Sequence, residues 1–239
     1  MFNGFGIFLA NFKISQYLCW HMKEKMLRLE PANPRMSVGE VREWCYDELL
    51  SHYPVTEGGL FLGMIRCEDL EQIDGNEPLS KQRYLLENIF VPDNINDWTQ
   101  LFSNFLSNET NVLPVIDQNR HYLGVYLLED LLEELSEIKA FSSNGTVIRI
   151  SGNTDDFSFS QVAQIIEATG GKLLGILLVD ENANELIADV KIKSENINEI
   201  LQTFRRYDYT ILSEHPEDKH LQELRENANY LEKYLRMGE

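Results

Sequence analysis

One short acidic motif occurs twice in this chain. Leu62-Gly63-Met64-Ile65-Arg66-Cys67-Glu68-Asp69-Leu70 and Leu123-Gly124-Val125-Tyr126-Leu127-Leu128-Glu129-Asp130-Leu131 share the pattern L-G-h-h-x-x-E-D-L, with h apolar. Each Asp sits where a strand-like run gives way to a helix start. The helix dipole stabilises a carboxylate there, a structural reading of Asp69 and Asp130 that needs no ligand. The remaining reactive residues form no constellation. His21, His52, His121, His215 and His220 show no H-E-x-x-H or paired-ligand spacing. His215 and His220, near Glu217 and Asp218, read as an exposed helix start with solvated charge. No G-x-S-x-G, P-loop or G-x-G-x-x-G occurs, and no isolated carboxylate pair suggests acid–base work, which argues against an enzyme. Cys19, Cys45 and Cys67 make no C-x-x-C and are too few for a disulfide framework. They read as small core hydrophobes in a reducing, cytoplasmic setting.

The elements that carry the motif also repeat. Ser37 and Glu40 make a capping box ahead of Val38, Val41 and Cys45 at helical spacing. Tyr53-Pro54-Val55, a Glu57-Gly58-Gly59 turn and Leu60 to Ile65 then predict two strands, and Glu68-Asp69-Leu70 starts a short helix. The second half runs in the same order. Asn94 caps a helix with the apolar face Ile95, Trp98, Phe102 and Phe105, followed by Leu113-Pro114-Val115, a turn over 117–120 and Tyr122 to Tyr126. Pro54 and Pro114 lie 60 positions apart and Asp69 and Asp130 lie 61 apart, so duplication explains the order better than chance.

Residues 139–145 read as a short linker of turn residues. Beyond it the grammar becomes β-α-β-β-α-β: a strand from Thr146, a helix on Val162, Ile165 and Ile166, strands over 173–179 and 185–192, a helix on Ile197, Ile200, Leu201 and Phe204, and a strand from Tyr209. That is a ferredoxin-like split βαβ arrangement. Leu221, Leu224, Ala228, Leu231 and Leu235 mark a final helix with a stripe two heptads long, suited to zipping a dimer or docking on its own domain.

Of the 239 residues 43% are hydrophobic, 25% are charged, and the formal net charge is -18. So acidic a surface repels phosphate backbones and anionic lipid, which argues against nucleic-acid and membrane partners. The aromatic stripes at Trp44 and Trp98 read as core because no basic groove accompanies them. Residues 1–21 lack a basic n-region and a cleavage site; they read as an upstream extension, or as an extra packed strand or helix.

On these residues, 22–138 resembles the tandem CBS-domain module. The stretch 22–239 is similar to small bacterial CBS proteins with a C-terminal ACT-like domain, often labelled acetoin-utilisation-like. The resemblance implies an α/β (α+β) fold divided into an extension (1–21), CBS module 1 (22–80), CBS module 2 (81–138), a linker (139–145), an ACT-like domain (146–214) and a C-terminal helix (215–239). It implies a homodimer through the CBS pair and a regulatory protein acting on a partner of unknown identity. The effector expected between the modules is an adenine nucleotide (AMP, ADP or ATP) or S-adenosylmethionine; the alternative is a ligand-free dimerisation protein. The family signature is G-h-h-T/S-x-x-D. Carried over, Gly63 and Gly124 match its glycine, Asp69 and Asp130 its ribose-binding carboxylate, and Tyr53-Pro54 and Leu113-Pro114 its base slot. Arg66 and Leu127 stand where Thr or Ser belongs. Arg66 can replace the hydroxyl with a charge-assisted phosphate contact and Leu127 cannot. An ACT-type effector loop would be the glycine-free stretch 153–160, which the capping pair Ser158 and Gln161 also explains.

Overall fold

The computed structural model describes residues 22–216, 218, 223, 224, 226–228 and 230; most of the expected C-terminal helix and the segment 1–21 lie outside them. The chain divides into two units, at Glu137/Ile138. Both mix sheet and helix, an α+β fold.

In the first unit, α1 (Val38–Asp47) begins at the predicted capping box: the Glu40 amide donates to Ser37 Oγ, and the Glu40 carboxylate accepts from the Ser37 amide. Its Val38, Val41 and Cys45 stripe is buried. Strands β1 (His52–Glu57) and β2 (Leu60–Arg66) pair antiparallel around Gly58 and Gly59, whose φ values of +60° and +84° suit glycine. The acidic motif then closes as one 3-10 turn, Glu68–Leu70. In the second repeat, β3 (Val91–Pro92) precedes α2 (Trp98–Ser107), β4 (Val112–Ile116), β5 (Tyr122–Leu127) and α3 (Leu128–Ser136). Helix α2 starts later than its apolar spacing predicts. Asp97, not Asn94, is its cap, accepting from the Thr99 amide at 2.9 Å, while the Ile95 amide turns back to the Pro92 carbonyl. Its buried face is Leu101 and Phe105, with Trp98 and Phe102 packed against the core only in part.

The two repeats meet across a pseudo-twofold axis. Ser51 and Asn111 hold equivalent places: the Ser51 amide donates to Asn111 Oδ1 at 2.9 Å and the Asn111 amide donates to Ser51 Oγ at 3.0 Å. At the far end the Phe61 amide donates to the Arg120 carbonyl and the Tyr122 amide to the Gly59 carbonyl. The segment preceding each repeat serves both. Leu27 bridges to Val125 and Ala32 to Val55; correspondingly, Glu87 bridges to Met64, and Val91 pairs in parallel with Val115. One hydrophobic core results, running from Met22 and Val38 through Ile65 and Leu70 to Val125 and Leu131.

The second unit opens with a one-turn helix, α4 (Lys139–Ser142), where only turn residues are expected. Then follow β6 (Thr146–Gly152), α5 (Phe159–Ala168), β7 (Lys172–Glu181), β8 (Leu186–Lys193), α6 (Ile197–Arg206) and β9 (Thr210–Ile211). The sheet order is β7-β8-β6-β9 with every neighbour antiparallel, the ferredoxin-like arrangement predicted for this part of the chain. Ile148, Ile150, Val190 and Ile192 of the sheet face Val162, Ile166, Ile200 and Phe204 of the helices in a second core. On the opposite face Arg149 holds Asp189 through a two-pronged ion pair. Gly170 ends α5 at a φ of +76°.

Candidate functional site

The first repeat builds a cleft from four short pieces of chain. The β1–β2 register sets His52 opposite Arg66, so both lie where the hairpin ends open. The Cys67 amide donates to the Ser51 carbonyl at 2.9 Å, which fixes the turn that follows. Helix α1 lies over that turn: Cys45 is disulfide-bonded to Cys67, Arg42 donates to the carbonyls of Glu71 and Ile73, and the Tyr46 hydroxyl donates to Glu71. Glu109, at the start of the second repeat's strand pair, completes a cavity of about 330 Å³ lined by Arg42, Tyr46, Ser51, His52, Arg66 and Glu109 among others.

The electrostatics of this cleft are mixed. Arg66 is about one-third exposed and lies 3.7 Å from Glu87 and 3.9 Å from Glu109. Pairs so long and so wet contribute little, leaving the guanidinium able to exchange a carboxylate for another anion. His52 is fully buried. Its Nδ1 meets Ser51 Oγ at 2.9 Å, while Nε2 sits 3.5 Å from Glu87 without a formed hydrogen bond. Burial, and then the Arg66 charge, lower its pKa below the ordinary histidine value against the opposing pull of Glu87 and Asp69. His52 is therefore neutral at pH 7. Glu68 and Glu71 line the rim and set a negative counterweight to the two arginines.

The second repeat has the same architecture and different chemistry. Leu127 and Val112 replace Arg66 and His52, and the Leu128 amide donates to Asn111 as Cys67 does to Ser51. Lys25 is held by Glu133 and Glu134 at 2.5 and 3.3 Å. Burial raises the Asp130 pKa; Lys25 opposes the shift, and Glu129, Glu133 and Glu134 add to it. This end disfavours phosphate.

The ten residues carried over from the family signature fall into three groups. Arg66 alone lines the cavity. Asp69 is exposed beside it, its field reaching His52, while Leu127 and Asp130 mark the acidic end of the second repeat. The other six are packing residues. Tyr53 and Leu113 are buried in the strand core; the Tyr53 hydroxyl donates to the Glu30 carbonyl at 3.1 Å, and burial pushes its pKa up to about 12. Pro54 and Pro114 are buried beside them, and the Pro54 carbonyl accepts from the Ala32 amide. None of these four lines the cavity. The glycines admit a crossing chain: a Cβ at Gly63 would stand 2.9 Å from the Glu87 carbonyl oxygen, and one at Gly124 would stand 2.6 Å from that of Leu27.

Sequence reasoning missed Arg42, Ser51, His52 and Glu109. The signal available was the 60-residue spacing of Ser51 and Asn111, two positions before the strand residues that were compared. The reading of the cysteines is corrected: Cys45 and Cys67 are bonded, because α1 and the turn after β2 bring their Cα atoms to 6.0 Å. Asp218 is also not solvated. It is buried and ion-paired with Arg205, while His215 contacts Ser213. No group of three or more metal-ligating side chains forms among the described residues.

A second cavity, of about 260 Å³, opens at the far end of the first unit beside Phe90, Pro92, Ile116 and Arg120. Arg120 lies over the Phe61 and Phe90 rings at 5.8 and 5.3 Å. In the second unit the loop after β6 is occupied by protein. Phe157 packs edge-on against Phe159 and Tyr209, and the Tyr209 hydroxyl donates to Gln161, so the predicted capping pair is only half formed.

No protein-family model matches this chain, and no curated protein sequence matches it. Solved structures do. A CBS domain pair/ACT domain protein from Thermotoga maritima is 24% identical with a TM-score of 0.43, covering 48% of this chain and 96% of that one. A hemolysin-like protein containing a CBS domain from Oenococcus oeni PSU is 18% identical with a TM-score of 0.38, covering 50% and 96%. CBSX2, solved in complex with AMP, is 18% identical with a TM-score of 0.41, covering 49% and 97%. No helix among the described residues is long and apolar enough to cross a membrane.

Proposed function

We propose that this chain is a regulatory, non-catalytic protein of the CBS-pair type that takes one small anionic effector, of the adenine-nucleotide class, in the cleft of its first repeat. The observation that carries the reading is the asymmetry at one position: a partly free Arg66 lines a cavity in the first repeat, and Leu127 stands in its place in the second. Arg42 adds a second cation, and the Ser51 hydroxyl and neutral His52 supply polar contacts on the same wall. The rim carboxylates weigh against highly charged ligands, so the reading favours a monophosphate such as AMP over ADP or ATP, with S-adenosylmethionine as the cationic alternative. Thermal melts with AMP, ADP, ATP and S-adenosylmethionine test it. A ligand held only by the folded protein at 100 times its Kd stabilises by about 2.7 kcal/mol. AMP should raise the Tm of the wild type and leave Arg66→Ala unmoved. No shift with any of the four would remove the reading.

The second reading, a ligand-free dimerisation protein that presents a surface to a regulated partner, is favoured by Glu68, Glu71 and Glu109 around the same cleft. It predicts a cytoplasmic homodimer built through the CBS pair whose melting ignores every nucleotide.

A further inference from the structure

We propose that the Cys45–Cys67 disulfide is a redox latch that sets the conformation of the turn that follows Arg66 and carries Asp69, and so the affinity of the first-repeat cleft. The two sulfurs lie in the cavity wall itself, in a chain whose other polar wall residues are those argued to hold the effector. Cys67 is the residue between Arg66 and Glu68. Its amide donates to Ser51, and Ser51 in turn exchanges hydrogen bonds with Asn111 across the pseudo-twofold axis. The position of Cys67 is therefore shared by the cleft and by the seam between the repeats.

The bridge is the one covalent tie between α1 and the 66–73 segment. The other ties are the burial of Leu70 in the core that Val38 and Val41 share, and polar contacts from Arg42 to the Glu71 and Ile73 carbonyls at 3.5 and 3.3 Å and from Tyr46 to Glu71 at 3.2 Å. The turn itself is a single 3-10 turn with no side-chain cap. Cys45 is buried, and Cys67 is a partly exposed residue that lines the cavity, the side from which a reductant approaches. A cellular dithiol, or two equivalents of a monothiol, attacks there. The sulfur–sulfur bond breaks, two electrons and two protons leave Cys45 and Cys67 as thiols, and the reductant departs as its own disulfide. The turn after Arg66 then loosens, and a ligand held between Arg66 and that turn must first order it.

The effect on affinity rests on the effector reading above; the effect on the turn does not. Both are measured on the full chain, oxidised and after dithiothreitol, with Cys45→Ser and Cys67→Ser as controls that cannot close the bridge. Reduction should speed amide exchange over 66–71 by about tenfold or more, leaving β8 and α6 unchanged. It should weaken AMP, the probe used in calorimetry, by about fivefold or more, with both serine variants matching the reduced wild type. Equal exchange in the two redox forms overturns the latch, as does alkylation of both cysteines without reductant. AMP bound equally well in both forms overturns the gating while sparing the nucleotide reading. If AMP binds neither form, the nucleotide reading fails and the exchange comparison alone decides the latch.

Discussion

Arg66 and His52 show how two residues at the end of one hairpin make the repeats unlike. Arg66 holds its carboxylates at 3.7 and 3.9 Å in a wet cleft. Arg66→Ala should therefore change stability by less than about 0.5 kcal/mol in urea titration, even as it abolishes any nucleotide shift. His52 behaves oppositely, because its proton matters and its charge is absent. Its folded pKa lies below the unfolded value of about 6.5 through burial and Arg66, against Glu87 and Asp69. Below that unfolded value the denatured chain takes up a proton that folded His52 refuses. Its contribution to stability is thus complete above pH 6.5 and falls with pH, by at most about 1.4 kcal/mol per unit for one proton. Urea midpoints measured from pH 7.5 down to 5 should decline less in His52→Asn than in the wild type; parallel curves would show that another group governs the decline. The sequence offered no hint of this, since a histidine before a strand is ordinary until the cleft and its charges are known.

At the scale of elements, the repeat was legible because turn and strand residues recur at fixed spacing. The Pro-Val strands, the Leu-Gly strands and the Glu-Asp-Leu closures lie in their expected order. Three features were not legible. The start of α2 moved because Asp97 outcompetes Asn94 for the cap. The disulfide joins cysteines 22 apart with no motif between them. The glycines of the repeated motif were matched to a family signature, and the close approach of a crossing chain at each is a long-range pairing that local pattern cannot show. Gly124→Ala, with its Cβ 2.6 Å from a backbone oxygen, should destabilise by roughly 1–3 kcal/mol. Amide exchange should localise the loss to Leu27 and Val125. The bridge closes a loop for which chain entropy gives roughly 3 kcal/mol, so Cys45→Ser should lower the urea midpoint measurably even without ligand.

At the scale of the molecule, each unit exposes a different weakness. The second unit ends its sheet on β7, whose Leu177, Leu178 and Val179 are 51%, 51% and 46% exposed. A long apolar edge of this kind invites pairing between chains. Leu177→Lys should slow the growth of light scattering on warming; unchanged scattering would place the sticky surface elsewhere. The first unit depends on its entry segment, because Leu27 and Ala32 are shared between the repeats. A chain that begins at Val38 should lose the cooperative melt of both repeats together, and loss of the first alone would refute the shared core.

That sharing also orders events at the ribosome. Leu27 is made early, yet its partner Val125 follows 98 residues later, 125 less 27. At about 5–20 residues per second the segment waits roughly 5–20 s with its apolar side uncovered. Synthesis, not diffusion, sets the time at which the entry segment can pair with the second repeat. Slowing translation between the two positions prolongs that interval, and chaperone demand should rise with it.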